Sequence, residues 1–235
     1  MSLNPAVHKS ILIKILKEIY SDARLGPILG FKGGTAAFLF YGLDRFSVDL
    51  DLDLLDLARE EEVFDLLKGI LQKYGQIKIA DKKRYSLIYI LSYEEKDPNA
   101  QNVKVEINLR NFGSQYEIKS YLGIAMKVMV QEDMSANKMM AFYERIGRAN
   151  RDLYDTYFFL SNDWPIDREL VERRAGMPFK QFLEKCCNLL EKMPSRGILN
   201  GLGEVLDEKQ KAWVKNHLKD ELLFQLHLYL ETNYR

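Results

Sequence analysis

Little in this sequence points to an oxidising compartment, a membrane or a polyanion. Only two cysteines occur, Cys186 and Cys187, adjacent within an apolar helical pattern. Neighbouring cysteines are poorly placed to bridge each other, and two alone build neither a disulfide framework nor a zinc site. They read as buried core thiols. Charge of one sign is also missing, since Lys plus Arg and Asp plus Glu stand at 34 each. No global field draws the chain to nucleic acid or to a membrane surface, so any polyanion site has to be a local patch. No apolar run approaches the ~18 residues of a membrane span. The segment Met1-Ser2-Leu3-Asn4-Pro5 lacks a basic start followed by an apolar stretch and a small-residue cleavage site. These absences predict a cytoplasmic protein with no membrane partner. Internal repeats and low-complexity segments are absent too.

What remains is ordinary for a folded chain: 47% hydrophobic and 29% charged over 235 residues, enough for one large domain or two small ones. Ile11, Ile15 and Ile19, with Leu12 and Leu16, recur at helical spacing and predict a helix over 7–24, ended by Gly26-Pro27. A short strand follows at 28–32, then a tight Gly33-Gly34 turn into a short helix at 35–43. Residues 46–54 alternate, with Val48, Leu50, Leu52 and Leu54 on one face and Ser47, Asp49, Asp51 and Asp53 on the other. An amphipathic helix is predicted at 60–74 and strands at 77–80, 86–92 and 103–109. Asp97-Pro98-Asn99 marks a turn in the loop between the last two strands. In the last strand Val103, Val105, Ile107 and Leu109 oppose Lys104, Glu106, Asn108 and Arg110. From Ser135 the pattern is helical almost to the end, punctuated by Pro165, Pro178 and a Gly-containing loop near 197–203. This order predicts an α/β (α+β) fold, with a mixed-sheet core over residues 1–130 and an appended helical domain over 131–235.

The acidic strand is the first candidate for chemistry. Side chains two apart on a strand share a face, with Cα atoms ~6.7 Å apart, so two carboxylates can converge on divalent cations. All-oxygen ligands and a phosphate-bearing substrate suit Mg²⁺ (or Mn²⁺). The bland alternative is a solvated edge strand, but three aspartates on one face repel each other and call for a compensating charge. Gly33-Gly34-Thr35, between strand and helix, offers backbone N–H groups and an outward hydroxyl to a nucleotide's phosphates; the alternative is a plain turn with Thr35 as helix cap. Glu106, on the polar face of a later strand, is either a third carboxylate for metal or base or a surface acid paired with Lys104 or Arg110.

A helical constellation follows, from Ser135 to Asp155. On a continuous helix Lys138, Arg145 and Asp152 are heptad-spaced and stack on one line, with Arg148–Asp152 and Arg151–Asp155 as i, i+4 pairs. A break at Gly147 would end that line. An exposed salt-bridged face is the ordinary reading, and its pairs would contribute only ~0–1 kcal/mol each.

In their order and spacing, Phe31-Lys32-Gly33-Gly34-Thr35-Ala36-Ala37, Arg45-Phe46-Ser47-Val48-Asp49-Leu50-Asp51, Val105-Glu106-Ile107-Asn108 and Lys138-Met139-Met140-Ala141, with Arg145 and Arg151-Asp152-Leu153-Tyr154-Asp155, resemble the AbiEii toxin group. These are nucleotidyltransferase-like toxins of type IV toxin–antitoxin and phage abortive-infection systems. The resemblance covers roughly residues 25–160. It implies a nucleotidyltransferase core with a helical domain and an NTP substrate. It places Gly33, Gly34 and Thr35 at the triphosphate, joined by Ser47 and Arg145 in nucleotide binding. Asp49 and Asp51, with Glu106, would serve the metal, and Lys138 and Asp152 would contribute to catalysis, while Asp155 in the same motif is structural. The implied reaction moves a nucleoside monophosphate from an NTP to a hydroxyl on the 3′ end of a tRNA or on a protein, under a cognate antitoxin. Glu106 stands where the family pattern has Asp. A small-molecule, aminoglycoside-type nucleotidyltransferase would share the Asp pair and the turn, and a non-catalytic binding protein would be expected to have lost a carboxylate.

Overall fold

A computed structural model describes residues 4–93 and 102–234; the Asp97-Pro98-Asn99 turn lies outside the described residues. Asn4 caps the first helix, α1 (Pro5–Ser21), by accepting from the amides of Ala6 and Val7, and Pro5 stands where its missing N–H costs nothing. The helix begins and ends earlier than its spacing predicts, closing at Asp22 rather than at Gly26-Pro27. Then come β1 (Leu29–Lys32), α2 (Gly33–Phe40), β2 (Asp49–Leu54) and α3 (Glu60–Leu71). The strands β3 (Gln76–Lys83), β4 (Ser86–Ser92) and β5 (Asn102–Asn108) follow, and β6 (Tyr116–Tyr121) and β7 (Ile124–Met129) end the sheet. Among the described residues these strands form one sheet in the order β3-β4-β5-β2-β1-β7-β6. β2 runs antiparallel to β1 and parallel to β5, which makes the sheet mixed.

Period-two alternation gives the sheet one dry face. Leu50, Leu52, Leu87, Tyr89, Val105 and Ile107 are fully buried there, each worth ~1.5–3 kcal/mol relative to exposure for side chains of this size. The Tyr89 hydroxyl donates to the Phe64 carbonyl at 3.0 Å, which places α3 on this face. The β6–β7 hairpin was not predicted. Its turn residues Leu122 and Gly123 both have positive φ, 50° and 77°, as a two-residue hairpin of the mirror-image type requires. Leucine is a poor signal for such a turn, and the apolar Ile118 faces solvent at 68% exposure, which spoils the alternation.

The chain divides into two compact units, Met1–Met129 and Val130–Arg235. The second is helical: α4 (Gln131–Arg145), α5 (Asn150–Ser161), α6 (Arg168–Ala175), α7 (Phe179–Lys192) and α8 (Glu208–Asn233). Cys186 and Cys187 are free and buried in α7, and burial pushes the Cys187 thiol up to about 11. No helix among the described residues is long and apolar enough to cross a membrane.

Candidate active site

The register across three strands assembles an acidic row. Lys32 on β1 stands opposite Asp51 on β2, and Asp51 stands opposite Glu106 on β5. Asp49, one pleat earlier, faces Lys104. Gly33 follows Lys32 directly, at φ 77°. A Cβ built on Gly33 would overlap the Asp51 carboxylate, so only glycine admits the acid against the first turn of α2. Gly34 is constrained on its other side, where a Cβ would sit 2.9 Å from Arg45 Nη2 and 3.0 Å from Ser47 Oγ. Gly33→Ala is expected to cost about 1–2 kcal/mol in left-handed backbone strain. Because the methyl also displaces Asp51, any activity of this site should fall more than the melting temperature suggests. Full activity in a folded Gly33→Ala protein would separate this glycine from the site.

The Thr35 hydroxyl departs from both of the positions expected of it, outward-pointing and helix-capping. α2 starts at Gly33, with Lys32 as its N-cap and no side-chain cap bond. Thr35 is only 1% exposed, so its hydroxyl neither caps the helix nor points outward. It donates to the Asp49 carbonyl and shares a hydrogen bond of 2.9 Å with the Ser47 hydroxyl, itself buried. Thr35 and Ser47 therefore brace the approach to Asp49, while backbone N–H groups of Gly33 and Gly34 remain the polar offering of the turn.

The three aspartates have different surroundings. Asp53 accepts from Asn108 Nδ2 at 2.6 Å and from the Tyr116 hydroxyl, and pairs with Lys32 Nζ at 2.5 Å. The Tyr116 ring lies over Gly30, where no side chain would fit. These contacts engage Asp53 as a structural acid. Asp51 is held above the ordinary aspartate range by burial and by the Asp49 charge, against the pull of Lys104 and Lys32. Burial works against the Lys104 ammonium too, but the ion pair with Glu106 and the charges of Asp51 and Asp49 outweigh it and raise its pKa. Glu106 thus makes the Lys104 pair that its surface reading anticipated, while standing beside Asp51. Lys32 and Lys104 also supply positive charge next to the aspartates.

Asp49 and Asp51 offer oxygen donors of the kind a hard divalent cation takes. Burial first, and the Asp49 charge second, hold the Asp51 carboxyl up, and a bound cation would favour its ionised form. This donor set fits Mg²⁺ or Mn²⁺, although no group of three or more potential ligands closes on one point among the described residues.

In the second unit the single helical line is not realised. α4 ends at Arg145, Gly147 takes φ 75°, and α5 starts at Asn150. A continuous helix would separate Lys138 from Asp152 by ~21 Å, whereas the packing of α4 on α5 brings them together. Lys138 Nζ lies 2.9 Å from Asp152 Oδ1 and 2.9 Å from Asp155 Oδ2, and Arg145 Nη2 lies 2.8 Å from Asp152 Oδ2. Arg148 and Arg151 donate to the carbonyls of Glu144 and Gly201. Nor is the cluster a solvated face: side-chain exposure is 14% for Lys138, 4% for Asp152 and 0% for Asp155.

Known proteins share this architecture. A putative nucleotidyltransferase from H. pylori superposes with a TM-score of 0.65 at 21% identity, over 99% of this chain and 97% of that one. JHP933 from Helicobacter pylori gives 0.58 at 20%, over 99% and 97%. MenT4, a nucleotidyltransferase toxin from Mycobacterium tuberculosis H37Rv, gives 0.55 at 17%, over 94% and 84%. At these identities the likeness establishes a nucleotidyltransferase-like fold. No curated protein matches. A family model described as nucleotidyl transferase AbiEii toxin, type IV toxin–antitoxin system, matches residues 14–222. The chain therefore belongs to the AbiEii nucleotidyltransferase toxin family.

Proposed function

We propose that this nucleotidyltransferase moves a nucleoside monophosphate from an NTP to a hydroxyl, either at the 3′ end of a tRNA or on a protein, and that a cognate antitoxin restrains it in phage defence. The observation that carries the reading is the Asp51 carboxylate packed against Gly33 at the start of α2, with Asp49 one pleat away. Asp49 and Asp51 bind the divalent cation, with Glu106 available on the neighbouring strand once it leaves Lys104. When bound, Mg²⁺ or Mn²⁺ supplies Lewis-acid polarisation at the α-phosphate and makes the acceptor hydroxyl easier to deprotonate. The amides of Gly33 and Gly34 hold the β- and γ-phosphates at a helix N-terminus, and Lys32 and Lys104 limit repulsion between the acids and the triphosphate. Such fixed charges, aimed at the departing pyrophosphate, are the main lever on phosphoryl-type transfer. The family motif, rather than a contact, is the ground for assigning Lys138, Arg145 and Asp152 to nucleotide binding and catalysis.

Incubation with each labelled NTP and Mg²⁺ or Mn²⁺, using total RNA in one arm and RNA-free lysate protein in the other, identifies the acceptor by where label appears on a gel. Absence of label in both arms with every NTP overturns the proposal. NTP is also expected to raise the melting temperature only when a divalent cation is present, by an amount that grows with the ratio of ligand to Kd. Equal shifts with and without cation would move the nucleotide away from the aspartates.

A further inference from the structure

The residues just ahead of β2 lie outside the strand, and side chains make a hydrogen bond at each of them. Arg45 Nη1 donates to the Phe46 carbonyl at 2.9 Å, Ser47 is bonded to Thr35, and His8 Nε2 meets the Val48 carbonyl at 2.8 Å. His8 arrives from α1 and is fully buried. A carbonyl can only accept, so Nε2 carries the proton and donates; Nδ1 then accepts from the Tyr93 hydroxyl at 2.9 Å. Phe46 and Tyr93 close edge-on around the ring, at centroid distances of 5.9 and 5.6 Å. Burial lowers the imidazole pKa despite the Val48 bond and the Asp49 charge, which favours this neutral tautomer.

An apolar residue would fill the same helix face, since His8 shares it with Leu12 and Ile15. A buried imidazole is tolerated only where its nitrogens find partners, and here one nitrogen is spent on the peptide that enters Asp49. We propose that His8 is a positioning residue for the metal site, fixing the Val48–Asp49 peptide so that the Asp49 carboxylate is aligned with Asp51 before ligand binds. The proposal rests on the reading that Asp49 and Asp51 hold the cation. Carboxylate placement in such sites has to hold to within ~0.5 Å, which a supporting hydrogen bond to the adjacent peptide provides.

The test measures Mn²⁺ binding by electron paramagnetic resonance, with kcat and KM for NTP alongside, on full-length His8→Leu, His8→Gln and Tyr93→Phe. Loss of a supporting partner typically weakens metal binding by about 10–100-fold. His8→Leu should fall at the lower end of that range and lower kcat, with KM for NTP near wild type. His8→Gln keeps an N–H for the Val48 carbonyl and should recover most of the binding. Tyr93→Phe should weaken it in the same direction by less. A merely structural histidine would change the melting temperature and leave Mn²⁺ binding of the folded protein at the wild-type level, which overturns the proposal. Equal weakening in His8→Leu and His8→Gln overturns it as well, by assigning the effect to packing. If His8→Leu does not fold, wild-type Mn²⁺ binding by Tyr93→Phe overturns it. Asp49→Ala is the reference: wild-type Mn²⁺ binding there removes the cation reading itself, and the proposal with it, whatever the His8 variants do.

Discussion

Asp51→Asn is expected to lower nucleotide transfer by about two to three orders of magnitude while melting above the wild type at neutral pH. The first effect follows from losing a cation-binding carboxylate, whose contribution of ~3–4 kcal/mol to the barrier corresponds to that rate factor. The second follows from the state of the acid without ligand. Burial and the Asp49 charge raise the Asp51 pKa above its ordinary value, with Lys104 and Lys32 pulling it down. A group so shifted binds its proton more tightly in the folded chain. Its stabilising contribution is full below the unfolded aspartate value of ~3.9 and is lost as pH rises through the raised folded value. Above the unfolded value the acid therefore works against folding, and the neutral amide removes that cost. Melting curves across the acid-to-neutral range should show the variant's advantage opening as pH rises. Mg²⁺ should narrow it by stabilising the wild type alone. Normal transfer by Asp51→Asn would remove the acid from the site, and a lower melting temperature at neutral pH would overturn the electrostatic account.

Much of this site was legible because β2 alternates so regularly. The pattern Asp49-Leu50-Asp51-Leu52-Asp53-Leu54 fixes which face is acidic, and the adjacent Gly33-Gly34 marks where phosphate could approach. It could not show that Asp53 is engaged, because its partners Lys32, Asn108 and Tyr116 come from three other strands. Nor could it show that Lys32 stands opposite Asp51 and Lys104 opposite Asp49, since cross-strand register is a tertiary fact. Thr35 was misplaced for a local reason: the helix begins at Gly33, which turns the third residue inward onto the Asp49 carbonyl. His8 has no place in the sequence reading and Arg45 enters it only within the Arg45–Asp51 motif, although His8 sits at the spacing of the buried face of α1 and so carries a signal. In the helical motif the heptad spacing suggests one line and Gly147 offers a break; the structure takes the break, and the same residues meet across α4 and α5.

That rearrangement changes what Lys138→Ala should do. On a solvated face the substitution would hardly affect stability. Here Lys138 is the shared partner of two carboxylates, one fully buried and one nearly so. Removing one member of a buried ion cluster typically costs about 3–5 kcal/mol, because the remaining charge is left in a poor solvent. In a chain of this size that corresponds to a fall in melting temperature of roughly 10 °C. Transfer should drop as well, so activity loss in the single variant cannot distinguish a phosphate-binding lysine from a structural one. The double substitution Lys138→Met with Asp155→Asn separates them. It removes a charge of each sign from the buried part of the cluster and keeps both side-chain volumes, so stability should return most of the way toward wild type. Asp152 retains Arg145 as its ion-pair partner at 2.8 Å. If Lys138 acts on the triphosphate, transfer remains low in this restabilised protein, because no ammonium has been returned. Lys138→Arg should also transfer poorly, since a planar guanidinium and a compact ammonium are not interchangeable at a phosphate. Recovery of transfer together with melting temperature in the double variant would make Lys138 a structural residue and remove it from the nucleotide site.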